Sequence, residues 1–235
     1  MELRIAVSKI NKSRDTKSGD TVEVVERPNG GMSVVLADGQ IDGSDNKSIS
    51  TMVTHRVIGH ISDGIHDGAA IRTSATSIYN EFEGKVSSNL NVISADLQTN
   101  TIIISRNTPI PVFLISDETV DSLAAESEPI GQRIDIKPTI VELQIQPEMA
   151  VIAFSDGVCH AGRQNQQIPD ITAMIEALVE EQELYAQEIA DFLLNRAIRM
   201  DEGRPKDDMS VVVMSILPIT TDKIRRLNVT MTLDE

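Results

Sequence analysis

Hydrophobic and polar positions alternate almost strictly at the start of the chain. Leu3, Ile5, Val7 and Ile10 are apolar with mainly polar or small residues between them, the pattern of a half-buried strand. Residues 11–20 (NKSRDTKSGD) are polar and contain a glycine, which reads as a loop. Residues 21–27 alternate again, Pro28-Asn29-Gly30-Gly31 is a turn, and residues 32–37 form the next strand, so a hairpin is predicted. Asp20 opens that hairpin and Asp38 closes it, and antiparallel pairing sets their carboxylates side by side. From Asp45 the period lengthens. Ile49, Met52, Val53, Val57, Ile58 and Ile61 share one helical face, with Ser44 or Asp45 as N-cap and Gly64 near the end.

Residues 68–82, rich in Ala, Ser and Thr, read as a second helix. Strands follow at 90–95, 101–105 and 111–115, and then a further pair at 136–145 and 149–154 after the loop 126–133. The helical period returns over 171–179 and 186–200, where Ile189, Phe192, Leu193, Ala197 and Ile198 share a face, until Gly203-Arg204-Pro205 breaks it. Residues 211–217 are the last core strand, and 224–233 read as a weaker strand in a tail. The order strands, two helices, strands, two helices, strand argues α+β, with antiparallel sheets and helices packed outside them. One domain is expected over residues 1–218, with 219–235 as a tail or an extra edge strand of the same domain.

Composition narrows the function. With 235 residues and 40% hydrophobic content the chain can bury a sizeable core. Its 36 acidic against 21 basic residues give a net charge of -15, which repels nucleic acid and anionic membrane surfaces and suits a protein that collects cations. No apolar run approaches the roughly 20 residues of a membrane span, and the N-terminus leads into a strand, so a cytoplasmic location is expected. Cys159 stands alone, which rules out an internal disulfide and a thiolate zinc cluster and fits a buried small residue.

Three strands are tipped by carboxylates: Val34-Val35-Leu36-Ala37-Asp38-Gly39, Val151-Ile152-Ala153-Phe154-Ser155-Asp156-Gly157 and, inverted, Asp207-Asp208-Met209-Ser210-Val211-Val212-Val213. Asp-Gly is a turn dipeptide, and that reading serves for Asp42, Asp63 and Asp67. Asp38 and Asp156 differ because each ends a continuous apolar run, where ionisation is costly unless a cation or donor compensates. Of Asp207 and Asp208, successive residues that project to opposite sides, Asp207 is the one expected to reach the site. An all-oxygen donor set favours magnesium or manganese over zinc. The four histidines show no pairing: His55 and His60 read as helix-surface residues, and His160 follows the Asp156 strand. A cysteine phosphatase would need an arginine six residues after Cys159, where Asn165 stands, and neither a nucleophile elbow nor a phosphate-binding glycine loop occurs.

Taken in order, Ser18-Gly19-Asp20, Ala37-Asp38-Gly39 with Gly43, Val92-Ile93-Ser94-Ala95-Asp96, Ser105-Arg106-Asn107-Thr108-Pro109, Glu128-Pro129-Ile130-Gly131, Phe154-Ser155-Asp156-Gly157-Val158 and Lys206-Asp207-Asp208-Met209-Ser210 resemble one family. It is that of the type-2C, metal-dependent serine/threonine protein phosphatases, in the bacterial branch similar to sporulation stage II protein E. The resemblance implies a four-layer α-β-β-α sandwich, two antiparallel sheets flanked by helix pairs, with two Mg²⁺ or Mn²⁺ ions at one end. It implies that Asp38 bridges both metals and positions the attacking water, that Asp156 and Asp207 complete one site, and that Asp20 and the Gly39 carbonyl complete the other, with Asp208 behind them. The implied activity is hydrolysis of phosphoserine or phosphothreonine in a protein, such as an anti-sigma-factor antagonist in stress or sigma-factor regulation.

The chain departs from the family pattern in places. Gln40 stands where many eukaryotic members have a histidine general acid, and Ile41 where the bacterial branch usually has glycine. Arg14 is a candidate for the substrate phosphate, with a plain surface arginine as the alternative. The altered Gln40-Ile41 loop motivates a second reading, a catalytically weak or inactive binding module on the same scaffold.

Overall fold

A computed structural model describes residues 1–13, 15, 17–117, 119–181, 185–218, 222 and 224–231. Two antiparallel sheets stack face to face. The first takes β1 (Glu2–Ile10), β11 (Met209–Leu217), β10 (Met149–Phe154), β7 (Val112–Ser116) and β8 (Thr119–Leu123), in that spatial order. The second takes β2 (Asp20–Glu26), β3 (Gly31–Ile41), β5 (Val86–Asp96), β6 (Thr101–Asn107) and β9 (Thr139–Gln144), with the two-residue β4 (Ser44–Asp45) paired to the end of β3.

Helices α1 (Lys47–Ser62) and α2 (Asp67–Phe82) cover the second sheet. The short α3 (Asp156–Cys159) leaves β10, and α4 (Ile171–Glu181) and α5 (Ala186–Met200) cover the first sheet. The continuous apolar runs follow from this layering. Along β3, Val34 and Leu36 enter the core between the sheets while Val35 and Ala37 face α1 and α2. Along β10, Met149, Val151 and Ala153 face the other sheet while Ala150, Ile152 and Phe154 face α4 and α5. A strand buried on both faces has no polar side to display.

The architecture expected from the sequence is present, with differences in detail. Asn46, not Ser44 or Asp45, caps α1, its side chain accepting from the Ser48 and Ile49 N–H groups. Ser44 and Asp45 are instead held in β4. Residues 136–145 and 149–154 do not form one pair: β9 joins β6 and β10 joins β7 and β11, in different sheets. β8 was not expected, because its TVDSL sequence is mostly exposed and carries no apolar run. Asp67 is no surface turn; it opens α2 at 1% exposure, ion-paired to Arg27 at 2.7 Å. Cys159 is half-buried rather than buried. The tail residues 224–231 belong to no helix or strand, and 232–235 lie outside the described residues.

Candidate metal centre

The acidic residues are assembled at one end of the sandwich by strand register. Asp20 pairs with Asp38 across β2 and β3, and Asp38 pairs on its other side with Asn89 of β5. Asp156 follows β10, and Asp207 and Asp208 lead into β11, the neighbouring strand. A bond from the Ser155 N–H to the Ser210 carbonyl at 3.0 Å closes that join.

Both Asp-Gly dipeptides need their glycine for close approach rather than for a turn. Asp38-Gly39 lies inside β3, which runs on to Ile41, so the strand does not stop there. A Cβ on Gly39 would sit 2.4 Å from the Ser50 nitrogen, so glycine lets the start of α1 press against the strand beside Asp38. A Cβ on Gly157 would sit 2.2 Å from the Asp208 carbonyl oxygen. Side chains at these positions would push apart the segments that carry the acids.

Each carboxylate has a distinct environment. Asp20 is 1% exposed and its Oδ2 accepts from the Ser210 hydroxyl at 2.6 Å. Burial pushes its carboxyl up to about 7, against the hydroxyls of Ser210 and Ser155 and the Lys9 charge, which favour ionisation. Asp38 accepts from the Asn89 amide at 3.0 Å. Burial first, and then the charges of Asp156 and Asp20, push it up to about 8. Asp156 is raised chiefly by burial, partly offset by His160. Asp207 is raised to about 6 by burial, then by Asp156 and Asp45.

Asp208 has a different job. Its two oxygens accept the Lys12 N–H at 2.8 Å and the Gly19 N–H at 2.6 Å, so it ties the loop before β2 to the root of β11. Asp45 is the residue that the sequence did not mark as part of the site. Oxygens of Asp45, Asp207 and Asp208 lie within 4.8 Å of one another, and the Asp45 charge reaches Asp38, Asp156 and Asp207. Its place in the helix-capping segment masks it in the sequence. The Gly39 carbonyl accepts the Asn46 N–H at 2.6 Å, which leaves one lone pair of that oxygen for another partner.

Two lysines stand behind the cluster. Lys9 and Lys47 both donate to the Asp20 backbone carbonyl, at 3.0 and 2.6 Å, and burial lowers both pKa values. At the exposed rim of the site Lys12 forms a salt bridge to Asp45 at 3.5 Å. Among the described residues no ion pair is made to the carboxylates of Asp20, Asp38, Asp156 or Asp207. Buried, mutually repelling carboxyls with no guanidinium or ammonium on them fit a hard divalent cation and a donor set of oxygen alone. Cys159 is raised to about 12 by burial and the Asp156 charge, so it is no nucleophile at neutral pH. His160 donates its backbone N–H to the Asp156 carbonyl, and burial lowers its imidazole pKa. Arg14 lies outside the described residues.

The 128–131 motif segment is tied behind Asp38, and the 105–109 segment is held by its own hydrogen bonds. Ser88 donates to the Asp38 carbonyl at 2.9 Å and exchanges backbone bonds with Ile130, beside a Gly131 whose Cβ would meet the Val86 oxygen at 2.7 Å. Arg106, 2% exposed, spends its guanidinium on the carbonyls of Thr108, Ile110 and Ala125, and Asn107 donates to the Glu128 carbonyl.

Comparison with known proteins extends this picture. The family model described as stage II sporulation protein E (SpoIIE) matches residues 28–217. Stage II sporulation protein E of Priestia megaterium is 25% identical over 199 residues, which cover 85% of this chain and 34% of that relative. The chain therefore spans about a third of that relative's length. The solved PP2C phosphatase domain of SpoIIE from Bacillus subtilis, with a fragment of its regulatory domain, matches with a TM-score of 0.78 at 22% identity, over 92% of this chain and 64% of that one. The catalytic domain of the serine/threonine phosphatase PstP, solved with two manganese ions, matches with a TM-score of 0.65 at 16% identity, over 92% of this chain and 98% of that one. The fold is that of PP2C phosphatase domains.

Proposed function

The chain belongs to the stage II sporulation protein E family, and from that premise we propose that it is a metal-dependent phosphoprotein phosphatase acting on phosphoserine or phosphothreonine. The observation that carries the reading is the group of carboxyls, with Asp20 and Asp38 buried and raised to about 7 and about 8, that make no ion pair among the described residues. Asp38, Asp156 and Asp207 would hold one cation; Asp38, Asp20 and the free lone pair of the Gly39 carbonyl would hold the other. Two Mg²⁺ or Mn²⁺ ions bound there would supply the Lewis acidity that a phosphoryl oxygen and an attacking water require.

The chain's own part is positioning. Asn89 and Ser88 fix Asp38 by its side chain and carbonyl, and Ser210 fixes Asp20. Asp208 holds the loop of Lys12 and Gly19 against the root of β11, and Lys12, paired to Asp45 at the exposed rim, would turn to an incoming phosphate. Gln40 continues β3 opposite Asp45 and donates no proton at neutral pH, so the leaving oxygen takes its proton from solvent. The substrate class that the family suggests is a small phosphorylated protein, such as an anti-sigma-factor antagonist in stress or sigma-factor regulation.

The test is hydrolysis of a phosphoserine peptide and of an aryl phosphate with manganese, with magnesium and with chelator. Turnover that requires metal and is lost in Asp38→Asn and Asp156→Asn supports the enzyme. The Gln40-Ile41 segment, locked into β3 and β4 pairing rather than left as an open glycine loop, favours a second reading, a binding module. Metal binding without turnover on phosphorylated proteins would select it.

A further inference from the structure

β1 and β2 are the terminal strands on one side of the sandwich, one from each sheet. Leu3, Ile5 and Val7 of β1 and Val22 and Val24 of β2 pack on the core between the sheets but are only partly buried. Next to them Val34 and Leu36 of β3 are 1% and 3% exposed. Among the described residues β2 has one strand neighbour, β3, and its other edge carries none. This is a side where the core is incompletely covered and a sheet edge is open.

The C-terminal tail is anchored at this side by two arginines. The Arg225 guanidinium meets the Glu26 carboxylate at 3.1 Å, at the end of β2, and Arg226 lies within electrostatic reach of Glu2, at the start of β1. Beyond that anchor Leu227, Val229 and Met231 are 77%, 85% and 79% exposed. They alternate with Asn228 and Thr230, the period of a strand with one apolar face. An exposed apolar alternation is thus rooted beside an open apolar edge.

We propose that residues 227–231 add to the free edge of β2 as an antiparallel strand, in the register that the Arg225–Glu26 contact sets. Leu227 then stands opposite Val24 and Val229 opposite Val22. Residues directly opposed in an antiparallel pair project to the same face. Both tail side chains therefore reach the gap bordered by Leu3, Ile5 and Val7, while Asn228 and Thr230 share the other face with Glu23 and Thr21. A register shifted by one residue would turn Leu227 and Val229 away from the core. Met231 arrives opposite Asp20, so the added strand would cover the outer flank of the metal-facing end. The inference stands whether or not the chain is a phosphatase.

Disulfide trapping in the full chain, with Cys159 replaced by alanine, tests it. Val24→Cys with Leu227→Cys, and Val22→Cys with Val229→Cys, should each close within one molecule at least about tenfold faster than the off-register pair Val24→Cys with Asn228→Cys. Equal rates, or disulfides that form only between two copies, overturn the proposal. Hydrogen exchange of the unmodified chain gives a second measure that needs no folded variant. Alternate amides of 227–231, those that face β2, should exchange at least about tenfold more slowly than in a free peptide, and Val229→Asp should abolish the protection. Exchange at the free-peptide rate in the unmodified chain overturns the proposal.

Discussion

The hairpin of β2 and β3 carries a buried acidic cluster at each end, and the two are resolved in opposite ways. At the end away from the metal centre, Arg27 donates to Asp67 at 2.7 Å, to Asp96 at 3.2 Å and to the Ser33 hydroxyl at 3.0 Å, all of them buried. That cluster carries one guanidinium for its two carboxylates, paired to both. At the other end Asp20 and Asp38 are equally buried, yet the nearby lysines Lys9 and Lys47 donate to the Asp20 carbonyl and not to a carboxylate. The burial is similar, so what distinguishes the site from the structural cluster is that, among the described residues, no ammonium or guanidinium pairs with its carboxylates.

The largest expected effect of a single substitution breaks the Arg27 end. Arg27→Met leaves two buried carboxylates unpaired and should cost about 3–5 kcal/mol of stability in denaturant unfolding, while turnover per folded molecule stays near wild type. Adding Asp67→Asn and Asp96→Asn should recover part of that loss. Next, Asp38→Asn should lower metal-dependent hydrolysis by about 10²–10³-fold, several kcal/mol of barrier, without destabilising the metal-free protein. Here the two ends should respond oppositely, since one substitution removes a needed charge and the other an uncompensated one. Asp45→Asn should weaken manganese binding by about tenfold in calorimetry, with the fold intact.

A pH dependence should accompany these effects. Asp20, Asp38 and Asp207 have folded-state values of about 7, about 8 and about 6 against an ordinary 3.8. Between pH 3.8 and about 8 the folded protein therefore holds protons that the unfolded chain has lost. The metal-free protein should lose stability as pH rises through that window, by up to about 1.4 kcal/mol per unit per carboxyl, and level off above it. Melting temperatures in chelator from pH 5 to pH 8 check the sign, and Asp38→Asn should flatten the slope.

The chain reports the site end better than it reports the far end. Asp20, Asp38, Asp156 and Asp207 were legible because each sits at a junction of apolar run and polar break, and hairpin pairing brings two of them together. Arg27, Asp67 and Asp96 lie in three separate elements, and nothing local marks them as partners. Asp45 was hidden for a related reason: an acid just before a helix reads as a cap, and only its β4 pairing with Gln40 turns it toward the cluster. The layers were legible from periodicity, but strand partnership was not. β9 and β10 are separated by one short turn and yet belong to different sheets, because β9 alternates in burial as an edge strand while β10 is buried throughout. β8 escaped because an exposed edge strand has no apolar pattern to show.

The central claim is that the end holding Asp20 and Asp38 is built to receive divalent cations. Calorimetric titration of manganese into chelator-treated protein at pH 7, repeated in buffers of different ionisation enthalpy, tests it most directly. Two ions should bind, with release of protons from the raised carboxyls and a large rise in melting temperature, and Asp38→Asn should lose both signals. Absence of binding at millimolar manganese, or binding that Asp38→Asn leaves unchanged, would contradict the account.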